Sequence, residues 1–386
     1  MNKTDETFTG AGRVDGPSVL IIDPGWAQSY LLARDFVRSG MRVFVLGDQH
    51  RWRRPMSRRI KVLNQSLPSS YDPEMAAATV DRALSESGAD WVLPVSNEML
   101  EQLWHADPPW VYRVLPSVPQ HERRAYMSKA AMNEIATAAG VEVARTLIAR
   151  SVADGDAAVA QFGLPLVIKP DHSFGGNGLM IAGTADQVRD RIAASLANDR
   201  VALLLQEYIA GPTCLVGGLY RDGTVVGHVA ARIDEADPPG IGPSIRLTTL
   251  GETALLGAAE RLLHVLRFNG IAGLDFIRRP DGRFVFLEVN PRPWGSLGLA
   301  RAAGLDIVTQ WGRMLQGQQP VRQRNAPAGI DWAKMPEYLK GRAHRRRSML
   351  RRALHPVALR SWAWYDARTL LWQWQGALDM FKENPS

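Results

Sequence analysis

The first regular pattern along the chain is "SVLIIDPG", residues 18–25, a short apolar and β-branched run closed by Pro-Gly. The amphipathic "AQSYLLARDFVRSG" follows, and then a second apolar run, "MRVFVLGD". This spacing predicts strand, helix, strand. After a loop carrying arginines come a helical pattern in "DPEMAAATVDRALSESG", a buried strand in "DWVLPVS" and a helix near 97–106. Such alternation implies a parallel sheet with helices on both faces. No GxGxxG follows the first strand, so the reading is a Rossmann-like scaffold without a dinucleotide.

The pattern then changes. Residues 121–139, "HERRAYMSKAAMNEIATAA", are predicted as one helix ending at Gly140. "LPLVIKPDHSFGGNGLMIAG" at 164–183 reads as two strands joined by a glycine-rich turn, and "VALLLQEYIAG" at 201–211 as another strand. Strands are also predicted at 214–220, 224–232, 271–278 and 283–289, with a helix at about 252–268. This second region is therefore α+β, with antiparallel strands. From about 320 the composition shifts to Gln, Arg, Pro and Trp, and no internal repeat is evident.

Composition narrows the classes. The 386 residues and 46% hydrophobic content suit two or three modest domains. Cys214 is the single cysteine, which excludes intrachain disulfides, argues against a thiolate metal site and suits a reducing compartment. It reads as a buried small hydrophobe. The N-terminal segment lacks the apolar core of a signal peptide, and no run reaches about 18 apolar residues, so the expectation is a cytoplasmic protein with nothing spanning a membrane. The net charge of +7 is concentrated between Lys340 and Arg368, where nine Lys or Arg face one acid, Asp366. A smaller basic cluster is "RWRRPMSRR" at 51–59.

Candidate chemistry sits in the antiparallel region. Lys169 closes an apolar strand and precedes a turn with Ser173, Gly175, Gly176, Asn177 and Gly178. Glycines let backbone N–H groups approach an anion, and an ammonium adds charge, so phosphate binding is one reading and an ordinary hairpin turn the other. It is not a Walker A loop, because the lysine comes first. In "GRFVFLEVNPRPWGS", residues 282–296, Glu288, Asn290 and Arg292 share one strand face until Pro291 interrupts the ladder. A hairpin through Pro280-Asp281-Gly282 would bring Asp275 beside Glu288 and Asn290. Such a set of hard oxygen donors favours Mg²⁺ completed by phosphates and water over a salt bridge with Arg292.

The order Lys129, Lys169, glycine-rich loop, "QEYI", Asp275 and "EVNPR" resembles the ATP-grasp superfamily, particularly the carbamoyl-phosphate synthetase and biotin carboxylase-like branch of carboxylate ligases. The resemblance runs from about residue 18 to 316 and implies a Rossmann-like pre-ATP-grasp domain and a two-lobed ATP-grasp fold; the composition beyond it adds a basic, Trp-rich helical tail. The implied division is a flexible segment at 1–17, the first domain at 18–120, the ATP-grasp domain at 121–318 with its small lobe at about 140–205, and the tail at 319–386. By resemblance, Lys129, Lys169 and the 173–178 loop contact the phosphates of ATP, and the backbone of Gln206, Glu207, Tyr208 and Ile209 reads adenine. Asp275, Glu288 and Asn290 hold Mg²⁺ or Mn²⁺, and Arg292 stabilises the transferring phosphoryl group.

The sequence departs from the family at Gly211-Pro212-Thr213, where many relatives carry an acid, and at Gly217, where an Asp is common. "HVAARIDEADPPGIGPSIR", 228–246, leaves a strand and enters a Pro/Gly-rich loop bounded by Arg232 and Arg246, which is either merely flexible or brings these arginines to a substrate carboxylate or acyl-phosphate. Trp294 and Ser296 line the acceptor side, with packing as an alternative for Trp294. His172 and His228 receive no role.

The activity implied is ADP-forming ligation of a small-molecule carboxylate to an amine. The alternatives are ATP- and bicarbonate-dependent carboxylation, or a non-catalytic nucleotide-binding or membrane-adaptor role. The tail, with Trp362, Trp364, Trp372 and Trp374 among its arginines, reads as a packed helix, then as a peripheral contact with anionic lipid at the inner membrane surface, and last as a nucleic-acid binder. No nucleic-acid partner is expected, and a homodimer is a candidate assembly.

Overall fold

The computed structural model describes residues 16–23, 25, 27–47, 59–63, 65, 67, 70–173, 176–197, 202–239, 242–335, 337–340 and 356–357. The first fifteen residues, arginines 51–58, Gly175 and the arginine- and tryptophan-rich stretch of the tail lie outside this set.

Four parallel strands, β1 (Ser18–Asp23), β2 (Arg42–Gly47), β3 (Ile60–Leu63) and β4 (Trp91–Pro94), form the first sheet in the order β3-β2-β1-β4. Alternation along β1 sends Val19 and Ile21 into one core with α1 (Ala27–Arg38). Leu20 and Ile22 enter another, with α2 (Pro73–Ser87) and α3 (Asn97–Ala106). Helix α3 begins at Ser96, whose hydroxyl accepts from the Met99 N–H, so Asn97 is the first helical residue. The order in which successive strands are added reverses at β1, with β2 and β3 on one side and β4 on the other. The segments following these two strands carry Gln28 and Asn97 to the crevice at the carboxyl end of the sheet.

The helix predicted over 121–139 is two helices, α4 (Gln120–Met127) and α5 (Lys129–Ala138). Ser128 interrupts them with extended backbone, and its hydroxyl both accepts from the Ala131 N–H and donates to Asp171 at 2.8 Å. Asp171 also accepts from the Ala130 N–H at 2.8 Å. Two polar caps outweigh the continuous helical periodicity and place Lys129 at the start of α5.

A second, antiparallel sheet, ordered β5-β8-β6-β7, contains β5 (Thr146–Ala149), β6 (Leu166–Pro170), β7 (Met180–Ala182) and β8 (Leu203–Glu207). It packs against α6 (Val152–Phe162) and α7 (Ala185–Leu196) around its own core of Ile168, Val188, Ile192 and Leu205. Gly155 lets the helices close, since a Cβ there would lie 2.7 Å from Ile192.

The third sheet has the order β13-β12-β9-β10-β11-β14. Its strands are β9 (Thr213–Arg221), β10 (Thr224–Ala236), β11 (Ser244–Leu250), β12 (Gly270–Arg278), β13 (Phe284–Asn290) and β14 (Asp331–Ala333). Helix α8 (Thr253–Val265) packs against β9 and β10 within the core that also contains α2 and α3. Helices α9 (Gly298–Ala302) and α10 (Ile307–Leu315) join this sheet to α1 in the other shared core, and α11 (Glu337–Lys340) follows β14. The first and third sheets are thereby fused through shared cores, while the second is a lobe with a core of its own.

The structure corrects three expectations. The 228–246 segment is mostly strand: Arg232 lies on β10 and Arg246 on β11, paired antiparallel with a bulge near Glu235. The predicted tail begins inside the fold, because β14 pairs with β11 and buries Trp332. Strands β3, β5, β11 and β14 are too short or too mixed in pattern to be read from the sequence; β3, β5 and β14 complete edges of their sheets, and β11 lies between β10 and β14.

Candidate functional site

A cleft of about 1320 Å³ opens between the second and third sheets. Val167 and Ile181 line it from the small lobe and Ile277 and Leu287 from the large sheet, giving apolar walls suited to a flat ring.

Lys169 reaches the cleft from β6, which is hydrogen-bonded to strands on both sides. Burial lowers its pKa to about 8, with the Lys129 ammonium adding to the effect and Glu288 opposing it. The Lys129 ammonium donates to the backbone carbonyls of Ser173 and Asp171 and lies 3.2 Å from the Ser173 hydroxyl. Its pKa is also lowered by burial, against Glu288 and Asp171. The structure thus gathers Lys129, Lys169, Ser173 and Gly176 along one wall. Gly178, with φ +74°, turns the loop back over Pro170, where a Cβ would lie 2.8 Å from the proline ring; it and Asn177 are exposed.

Gln206, Glu207, Tyr208 and Ile209 all line the cleft, where β8 ends and the chain crosses to the large sheet. Gln206 is anchored by a 2.9 Å bond to Thr146. The Glu207 side chain is committed elsewhere. It accepts from Arg145 Nε at 2.8 Å and from Arg279 Nη2 at 2.9 Å, and Arg279 also donates to Glu142. Because Arg279 immediately follows β12, this network ties the two lobes together at their hinge. Burial pushes the Glu207 carboxyl up, but the hydrogen bonds from Arg145 and Arg279 outweigh it and leave its pKa lowered.

On the opposite wall, β12 and β13 pair with Asp275 across from Glu288, and Gly273 across from Asn290. The Asn290 Nδ2 lies 3.2 Å from Glu288 and 3.4 Å from Asp275. Burial and the neighbouring Glu288 charge raise the Asp275 pKa, with Arg292 opposing. Arg292 is itself buried deeply enough to lower its pKa to about 10, against the pull of Glu288 and Asp275. The predicted convergence of these four residues is present.

Arg232 and Arg246 are not among the residues lining the cleft. Arg232 donates to Asp234 at 2.7 Å, and Arg246 makes a two-pronged pair with Asp331 at 3.0 and 2.8 Å. It is the intervening acids, Asp234 and Glu235, that line the cleft.

Sequence comparisons agree with this geometry. The profile of the family described as "Carbamoyl-phosphate synthase L chain, ATP binding domain" matches residues 128–321. The chain belongs to this ATP-grasp family.

The carbamoyl phosphate synthase large chain of Mycobacterium tuberculosis (strain CDC 1551 / Oshkosh) is 32% identical over 187 residues, 45% of this chain and 17% of that protein. The large chain from Thermotoga sp. (strain RQ2) is 30% identical over 182 residues, 44% of this chain and likewise 17% of its own length. The match therefore spans under a fifth of these relatives. Among solved structures, a biotin carboxylase from Campylobacter jejuni superposes with TM-score 0.64 at 16% identity, covering 78% of this chain and 71% of that one. The L-amino acid ligase from Bacillus licheniformis gives 0.59 at 16% identity, over 80% and 75%. At such identities the likeness is one of fold.

The donor set of this ATP-grasp cleft fits a divalent cation. Two partly buried carboxylates face each other across adjacent strands, an arrangement that favours a bound cation. Among the described residues no group of three or more His, Cys, Asp or Glu gathers; two carboxylates and the Asn290 amide are a donor set that would suit Mg²⁺ completed by phosphate and water.

Two residues from the helices that follow β1 and β4, missed by sequence reasoning, enter the site. Asn97 bridges Asn290 and Arg292, and Gln28 lines the cleft beside the large sheet. The capping serine before Asn97 was a local signal for a helix start, but nothing near it pointed to residues almost two hundred positions away.

Cys214 is buried, and burial pushes its thiol up to about 11, as expected of a small packed side chain. Among the described residues no helix is long and apolar enough to cross a membrane.

Proposed function

We propose that the protein is an ADP-forming carboxylate–amine ligase. The observation carrying this reading is that Lys129 and Lys169 on one wall face Asp275, Glu288, Asn290 and Arg292 on the other across a single cleft. Residues 18–120 serve as a Rossmann-like pre-ATP-grasp domain and 121–318 as the grasping lobes.

In the proposed reaction a carboxylate oxygen of the substrate attacks the γ-phosphorus of ATP. The bond to the β,γ-bridging oxygen breaks, and its electron pair leaves on ADP. The amine nitrogen then attacks the acyl carbon, the C–O bond to phosphate breaks, and one amine proton is released.

Lys129, Lys169 and the 173–178 loop bind and orient the phosphates. The backbone at Tyr208 and Ile209, beyond the end of β8, lies where the base would stack between the apolar walls. Arg292 neutralises charge on the equatorial oxygens during transfer. Asp275, Glu288 and Asn290 would hold Mg²⁺, which supplies Lewis-acid neutralisation of the phosphates when bound. Closure of the small lobe over the hinge excludes water, so that the acyl-phosphate meets the amine first.

The experiment is Mg²⁺-dependent ADP release from the full chain with pools of amino acids and carboxylates, with and without bicarbonate, and product masses read in parallel. A mass equal to two components minus water is the expected result. Stimulation by bicarbonate alone would favour the carboxylase reading, and nucleotide binding without turnover in every pool would favour an adaptor.

A further inference from the structure

Three buried side chains in the cleft have polar atoms without a hydrogen-bond partner among the described residues. They are Gln28, through both its Nε2 and its Oε1, Trp294 through Nε1, and Ser296 through Oγ. Their exposures are 2%, 3% and 1%, and all three line the cleft that also holds Arg292. Buried polar atoms are nearly always paired, so three such buried side chains in one cleft, where the partly exposed Glu337 also leaves its Oε2 unbonded among the described residues, point to a ligand that completes them.

Their positions are set by packing. Gly217 on β9 pairs with Gly273 on β12, and the Trp294 side chain seats on this pair. A Cβ at Gly217 would lie 2.3 Å from the indole ring, and one at Gly273 would lie 2.9 Å from the Trp294 Cβ. The two glycines account for the departure at Gly217, since a side chain there would displace the indole. Gln28 comes from the first turn of α1, which is held to α9 by a 2.7 Å ion pair between Asp35 and Arg301. Ser296 lies just before α9.

The hydrogen-bonding character of the set defines its ligand. The Trp294 N–H, the Ser296 hydroxyl and the Gln28 amide N–H groups can donate. All three are uncharged, so a carboxylate held by them keeps its nucleophilic electron density while Arg292 stands nearby for the phosphoryl group. The Gln28 Oε1 can only accept, and a bare carboxylate would leave it unpaired.

We infer that Gln28, Trp294 and Ser296 form the subsite for the substrate carboxylate, and that this substrate also carries an N–H or O–H donor for Gln28, as an amino or hydroxy acid does. The inference rests on the ligase reading and names the substrate class for that site.

The test is calorimetric titration of the full chain saturated with a non-hydrolysable MgATP analogue. The probes are the twenty proteinogenic L-amino acids, L-lactate, bicarbonate and, for each acid that binds, the analogue with hydrogen in place of its donor, such as propionate for L-alanine or L-lactate. The expected result is that at least one donor-bearing acid binds, at least about tenfold more tightly than its donor-free analogue. The near-isosteric Gln28→Met should abolish that preference, and Ser296→Ala should weaken both members of the pair.

Affinity for the nucleotide analogue reports folding in each variant. Equal affinity for donor-bearing and donor-free acids overturns the inference. So does a preference that survives Gln28→Met, binding by bicarbonate alone, or binding of the nucleotide analogue with no carboxylate bound. Failure of wild-type protein to bind the nucleotide analogue at all would instead overturn the ligase reading, and this subsite with it.

Discussion

Asn97 and Arg292, 195 residues apart, are joined by a hydrogen bond of 2.7 Å from the guanidinium Nε to the amide Oδ1. Because a guanidinium only donates, this bond orients the Asn97 amide, whose Nδ2 then donates to Asn290 Oδ1 at 2.6 Å. Asn290 in turn directs its Nδ2 at Glu288 and Asp275. A polarised chain of amides therefore runs from the partly buried cation to the partly buried carboxylates, and Asn97 enters it from the helix after β4.

Asn97→Ala should leave Arg292 and Asn290 without this positioning. The expected outcome is a fall in kcat of about 10- to 100-fold, from the loss of hydrogen bonds to charged and buried groups, with little change in the KM for ATP. Titration with Mn²⁺ followed by electron paramagnetic resonance should show weaker cation binding in the same variant. A parallel rise in KM with unchanged kcat would assign Asn97 to nucleotide binding instead.

Asp275→Asn removes one of two carboxylates that repel each other in a buried site. The metal-free variant should be more stable than wild type by about 1 kcal/mol, since an uncharged amide is cheaper to bury. Mg²⁺ and ADP together should raise the thermal midpoint of wild type but move the variant far less, and Mg²⁺-dependent ADP release should be lost. Differential scanning fluorimetry with and without Mg²⁺ checks both halves.

Lys169 should make nucleotide binding proton-linked. In the unfolded chain this amine holds its proton up to its ordinary value of 10.5, whereas in the folded, unliganded protein burial lowers it to about 8. The unfolded state therefore binds more protons between these values, and stability rises with pH across that window. Bound phosphates favour the ammonium and reverse the shift. Calorimetry at pH 8.5 in buffers of different ionisation enthalpy should show uptake of up to about one proton per nucleotide, and Lys169→Met should abolish most of it.

The hinge network makes a stability claim of its own. Arg279→Met leaves Glu207 with Arg145 and Glu142 with Arg283 as their remaining charged partners and breaks the link between the two acids, so unfolding in urea should shift to a lower midpoint by about 1–2 kcal/mol. The lowered Glu207 pKa gives a contribution that is present above the ordinary carboxylate range and lost as pH falls through the lowered value. The acid limb of the stability curve should accordingly be shallower in Glu207→Gln than in wild type.

The amino-acid sequence by itself determined what depends on neighbours along the chain. The continuous apolar run "SVLIID" specified a strand, the polar positions two apart at the end of "FVFLEVN" specified a shared face, and Pro280-Asp281-Gly282 specified the hairpin that sets Asp275 opposite Glu288. Glycine spacing marked the loop after Lys169. Each signal is local, because side-chain periodicity and turn geometry act over a few residues.

Tertiary structure alone decided what depends on distant segments meeting. The capping of α5 by Asp171, which splits the predicted helix and turns Lys129 to the loop, comes from 41 positions away. Arg246 found Asp331 instead of a substrate, across 85 residues. Asn97 reached Asn290 across 193. Such pairs leave no period in the sequence: their geometry is created when the apolar faces of separate sheets pack into shared cores, and only then does a polar side chain acquire its partner or remain in the cleft without one.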